Sequence, residues 1–209
     1  MLRWHKNQNQ MLQRPKTYDE AGIFTGACED VQFNAFEILR IAEEVEHKAT
    51  RFFLQAARRF EDQSRRAVCY SLAEWRASHR HAWARIRRKY SERTGQFGVF
   101  DPDNYLLSNP QVMASLTCFA THQKLGSSLT GRETAEQIVR DAIRRTRGVG
   151  VFYEGLKSFV HDPEGCRIID AMIDEEKRHI RLLSAALDRM QPTQSELSLR
   201  GIPVSEVVN

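Results

Sequence analysis

The stretch Ile173-Asp174-Glu175-Glu176-Lys177-Arg178-His179 places a carboxylate and an imidazole, Glu176 and His179, three positions apart. On a helix that spacing points both side chains from one face, where they could converge on one metal ion or bridge two. Glu-x-x-His alone is weak evidence, because a solvated carboxylate beside an ordinary core histidine has the same spacing. The neighbours Met172, Ile173, Leu182, Leu183 and Ala186 turn this face toward a core. A carboxylate there is costly unless it is paired or metal-bound.

The elements that must position these residues are helical. Apolar residues recur at helical spacing between Val31 and Phe60 (Phe36, Leu39, Ala42, Ala49, Phe52, Phe53, Ala56) and between Ser64 and Lys89 (Val68, Leu72, Trp75, Ala82, Trp83, Ile86). Turn chemistry follows in Thr94-Gly95-Gln96-Phe97-Gly98 and Asp101-Pro102-Asp103-Asn104, with a short helix expected over 111–125. Thr130-Gly131-Arg132-Glu133 reads as a capping box opening a third long helix over 131–160. Asp162-Pro163-Glu164-Gly165 marks a turn before a fourth, over 164–190. The expected organisation is an N-terminal arm (1–30), a four-helix bundle (31–190, crossover 91–130) and a flexible C-terminal tail (191–209). Two helix hairpins joined by a long crossover form an all-α bundle; short loops throughout would have meant up-down-up-down order.

The two hairpins match each other. Sliding the chain by 100 residues without a gap sets Ala35 on Ala135, Ile38 on Ile138, Arg40 on Arg140 and Ala42 on Ala142. It also sets Phe52 on Phe152, Phe53 on Tyr153, Asp62 on Asp162 and His79 on His179. A duplicated hairpin ending in a matched histidine is the simplest reading.

Composition narrows the class. The chain has 209 residues, 41% hydrophobic and 28% charged, with 11 Gly and 6 Pro, which suits one helix-rich globular domain with tails. Basic runs such as Arg85-Ile86-Arg87-Arg88-Lys89 and Arg144-Arg145-Thr146-Arg147 read as solvated helix faces; the net charge is only +4 and no nucleic-acid motif accompanies them. No nucleic-acid partner is expected. Cys28, Cys69, Cys118 and Cys166 contain no Cys-x-x-Cys pair, so neither a zinc ribbon nor a rubredoxin-type iron centre is encoded. Reduced thiols, no signal peptide at Met1–Gln8 and no membrane-length apolar run make a cytoplasmic protein without a membrane partner the expectation.

Two stretches carry a resemblance. Met172-Ile-Asp-Glu-Glu-Lys-Arg-His179-Ile-Arg-Leu-Leu183 resembles the fourth helix of rubrerythrins, and Ala35-Phe-Glu-Ile-Leu-Arg-Ile-Ala-Glu-Glu-Val-Glu46-His-Lys-Ala-Thr-Arg-Phe-Phe53 their first. The resemblance spans about 31–190 and implies a ferritin-like four-helix bundle of the diiron-carboxylate superfamily, without a rubredoxin domain. That family pattern has a Glu on the first and third helices and Glu-x-x-His on the second and fourth. Glu46, Glu176 and His179 match it, and His79 matches the second-helix histidine. Arg76 stands where the second-helix Glu belongs, and Thr146 where the third-helix Glu belongs. The 100-residue offset gives the same register, pairing 46 with 146, 76 with 176 and 79 with 179.

The resemblance therefore implies an incomplete site. Glu46, His79, Glu176 and His179 would hold one iron rather than two, with manganese or zinc as chemical alternatives. Such a protein would be an iron-dependent oxidoreductase of ferroxidase or peroxidase type. The same residues allow a metal-free alternative, in which the guanidinium of Arg76 lies between Glu46 and Glu176 and replaces the metal charge. The protein would then be a structural or interaction module. Glu43, one turn before Glu46, could reach the same space, whereas Glu74, Asp141, Glu154, His47 and His81 fall off the inward faces. Trp75 and Trp83 flank His79 either as an aromatic shield or as core filling, and Tyr153 is either a redox phenol or a packed aromatic. Gly148 and Gly150 suggest a close approach or a small pocket beside Thr146. A homodimer is the expected assembly. Ser195-Glu-Leu-Ser-Leu-Arg-Gly-Ile-Pro203 faintly resembles tails that load ferritin-like cargo into protein shells, with a disordered tail as the plainer reading.

Overall fold

The computed structural model describes residues 33–98, 109–119, 129–160 and 162–190. The chain divides into Met1–Val31 and Gln32–Asn209, and every described residue belongs to the second unit. The expected arm, the C-terminal tail and Cys28 lie outside the described residues, as do parts of the crossover.

The described residues form helices and no strand: α1 (Ala35–Ala57), α2 (Gln63–Thr94), α3 (Pro110–Ser115), α4 (Ala135–Lys157) and α5 (Pro163–Met190). Local chemistry sets their ends. Asn34 caps α1 in a capping box with Glu37, each side chain accepting from the other's backbone N–H at 3.0 Å. Asp62 caps α2 by accepting from the Arg65 N–H, and Gly95 ends it at φ 68, a left-handed cap that glycine adopts without strain. Asn109 caps α3, with Pro110 in its first turn.

One start differs from the sequence reading. The third long helix is capped by Thr134 in a box with Gln137, one turn later than Thr130. Gly131 sits at φ 95, outside the helical region, and a Cβ there would lie 2.3 Å from the Arg59 carbonyl oxygen. Thr130 and Glu133 do bond, but to close the preceding turn. α3 is also shorter than the expected 111–125, and α2 runs five residues further than its apolar stripe, to Thr94. From Ala77 to Lys89 no residue of α2 is fully buried, and Ile86 is exposed.

The long helices pack in a ring: α1 on α2, α2 on α4, α4 on α5 and α5 on α1, with α3 lying on α1. The short links 58–62 and 158–162 make each hairpin an antiparallel pair. Burial follows the duplication. Ile38 and Ile138, Ala42 and Ala142, Ala49 and Val149, Phe53 and Tyr153, Cys69 and Ile169, and Leu72 and Met172 are all buried pairs separated by the repeat. Removing these apolar side chains from water is what holds the hairpins together, at about 1.5–3 kcal/mol for each large one. No helix among the described residues is long and apolar enough to cross a membrane.

Candidate functional site

Helical phase carries Glu46, Arg76, Thr146 and Glu176 inward on α1, α2, α4 and α5, and all four are buried among the core residues. Arg76 is the centre, with its side chain 1% exposed. Its Nη1 donates to Glu176 Oε1 at 2.8 Å and to both oxygens of Glu46 at 3.3 Å. Its Nη2 donates to Glu176 Oε2 at 3.2 Å and to Thr146 Oγ1 at 2.9 Å. Glu176 is thus gripped through both oxygens by the guanidinium fork, and Glu46 by one nitrogen alone.

One cation between two buried acids fixes the charge state. Burial pushes Glu46 up to about 8, with Arg76 opposing and Glu176 adding to the rise. Burial also raises Glu176, against the attraction of Arg76. Arg76 loses by burial but gains more from Glu176 and then Glu46, so its charge is secured. At neutral pH the cluster is a guanidinium hydrogen-bonded to both carboxyls, each held above the ordinary carboxylate range by burial, with Glu46 largely protonated.

Aromatic rings enclose the cation. Arg76 Cζ lies 4.8 Å from the Trp75 ring centroid and 5.4 Å from that of Phe119. Trp75 also stacks on two imidazoles, 3.3 Å from His179 at 14° and 3.8 Å from His79 at 29°. Two rings stacked so closely on one indole cannot share a face without overlapping, so Trp75 separates the histidines. His79 Nε2 lies 3.0 Å from Glu175 Oε1, toward the surface, and Glu175 is further held by Arg178. Burial lowers His79 against the pull of Glu175. It lowers His179 to about 2, with the Arg76 charge adding to the effect, so this imidazole is neutral. His179 Nδ1, the Tyr153 hydroxyl and Arg76 Nε are buried without a hydrogen-bond partner among the described residues.

The structure thus brings together Glu46, Arg76, Thr146 and Glu176, with Tyr153 buried beside them and pushed up by burial and then by the two acids. It takes His79 to Glu175, and it takes Glu43 to Arg87, which donates to both Glu43 oxygens. As placed, the four expected donors Glu46, His79, Glu176 and His179 do not fit one ion, because a guanidinium lies between the carboxylates and an indole between the imidazoles. Among the described residues no group of three or more His, Cys, Asp or Glu is arranged to hold a metal. Gly148 of α4 meets the Cys118 sulfur, 3.3 Å from where a Cβ would stand, while Gly150 faces open space.

Arg145 is the buried residue that the sequence reading passed over, as one of a run of surface arginines. Its side chain is 2% exposed, pairs with Asp141 Oδ2 at 2.6 Å, and lies 3.9 Å over Phe52. The signal was present: 145 falls on the stripe of Ile138, Ala142 and Val149, whereas Arg144 and Arg147 do not. No family model, curated protein or solved structure matches this chain.

Proposed function

We propose that this chain is a ferritin-like, rubrerythrin-type bundle in which Arg76 has taken over the charge role of a metal, leaving a non-catalytic structural or interaction protein. The observation that carries the reading is the Arg76 guanidinium within 2.8–3.3 Å of both carboxylates. It supplies a fixed positive charge where Glu46 and Glu176 converge, and Thr146, the counterpart of Glu46 in the repeat, donates no charge and accepts a hydrogen bond instead. The helix order, the long crossover and the buried pairs of the repeat support the ferritin-like topology.

One observation favours a second reading, a single iron held with the help of His179: the Nδ1 of that residue is buried without a partner. Anaerobic loading with ferrous iron followed by elemental analysis separates the two. The Arg76 reading expects no stoichiometric metal in the wild-type protein; one tightly held iron per chain overturns it in favour of the second. The topology has its own test in Arg76→Glu combined with Thr146→Glu, which restores the carboxylates the register lacks. That variant is expected to bind iron that the wild type does not, and a folded variant with no gain refutes the rubrerythrin register.

A further inference from the structure

We propose that residues 109–119 form a cover over the Arg76 cluster that opens without unfolding the bundle, with Phe119 as its seal and Arg145 as its latch. Phe119 is buried, 5.4 Å from Arg76 Cζ and 5.7 and 5.8 Å from the rings of Phe52 and Phe53. With Trp75 it is one of two aromatic rings set beside the cation. The only helix of the cover, α3, has six residues, too few to be stable alone, so its order depends on what anchors it.

Those anchors are both apolar and polar: Met113, Ala114 and Phe119 are buried, α3 lies on α1, and a few hydrogen bonds fix the segment's edges. Lys48 Nζ donates to Ser115 Oγ at 2.8 Å. Arg145 Nη1 donates to the Cys118 carbonyl, and Cys118 Sγ donates back to the Arg145 carbonyl at 3.2 Å. Asp141 and Phe52 hold the guanidinium in line for this exchange. Gly148 makes room for the Cys118 sulfur, which a Cβ at that position would meet at 3.3 Å.

The repeat shows that the charge is not required by helix packing. Position 45, the counterpart of 145, is a fully buried valine. The same stripe in the first hairpin is filled without an arginine, so Arg145 serves the Cys118 backbone it holds rather than the packing of the helices. A segment with one six-residue helix and three buried apolar side chains has less to hold it than the four long helices, so it opens at lower cost, whereas Cys69, buried in the core, is released only with it.

Maleimide labelling of the intact chain, read by peptide mass spectrometry in urea below the unfolding range, tests this. Cys118 is expected to react about tenfold or more faster than Cys69, with little urea dependence. Arg145→Gln is expected to speed Cys118 by about tenfold again, the loss of a charged hydrogen bond, and to leave Cys69 unchanged. Gly148→Ala, which keeps Arg145 but crowds the sulfur, is expected to act in the same direction. Equal rates at Cys118 and Cys69, equal acceleration of both by the variants, or no response of Cys118 to either variant would each overturn the latched cover.

Discussion

Replacing Arg76 by methionine removes the only cation that the described residues place between Glu46 and Glu176. Five hydrogen bonds go with it, four to carboxylate oxygens and one to Thr146. Breaking a buried pair by deleting one partner costs about 3–5 kcal/mol, because the remaining charge is left without compensation. At a urea m-value of about 2 kcal/mol/M, that lowers the unfolding midpoint by about 1.5–2.5 M. The cost must also depend on pH. Arg76 favours the ionised acids, so without it both carboxyls rise further and stay protonated at low pH, where neutral acids are cheap to bury. The penalty is therefore small near pH 5 and largest near pH 9. Replacing the cluster as a unit, Arg76→Met with Glu46→Gln and Glu176→Gln, should recover most of the loss, since a buried ion pair is at best neutral against uncharged packing. Urea titrations followed by circular dichroism at both pH values measure all of this. A single variant that unfolds with the wild type at pH 9, or whose penalty is greater at pH 5, would refute the charge assignment.

The wild-type pH profile should be bounded on both sides by this site. Glu46, raised from 4.5 to about 8, binds its proton better in the folded state, so its contribution is complete below 4.5 and is lost as pH rises toward 8. His179, lowered from 6.5 to about 2, works the other way: its contribution is present above 6.5 and is lost as pH falls. Each of these two groups adds a slope of at most about 1.4 kcal/mol per pH unit, and His179→Gln should flatten the acid limb in chemical denaturation between pH 3 and 6. Thr146→Val leaves Arg76 Nη2 with Glu176 alone and should cost about 1.5–3 kcal/mol in the same assay. Gly131→Ala must place a side chain at φ 95 and against the Arg59 carbonyl, so it should lose more than about 2 kcal/mol in thermal unfolding.

Periodicity, turn residues and the 100-residue repeat were enough to place four long helices and to turn Glu46, Arg76, Thr146, Glu176 and His179 inward, because a stripe of apolar side chains must leave water whatever its partner is. The position of Arg76 between the two acids was legible as one of two alternatives, since types and register fix which groups meet but not which contact they choose. Tertiary structure decided the rest. His79 turns to Glu175 because Trp75 fills the space between the imidazoles, and an indole's position depends on what the facing helix leaves open. Glu43 goes to Arg87 because those two meet across the α1–α2 hairpin before Glu43 can reach the centre. The Thr130 signal yielded to Thr134 because Gly131 must pass the Arg59 carbonyl, a contact between residues far apart in the chain. Arg145 falls on the inward stripe of α4, but its partner there, the Cys118 carbonyl of the crossover, is a contact between distant segments. Local sequence determines which face of a helix is buried; what covers that face is settled only when distant segments meet.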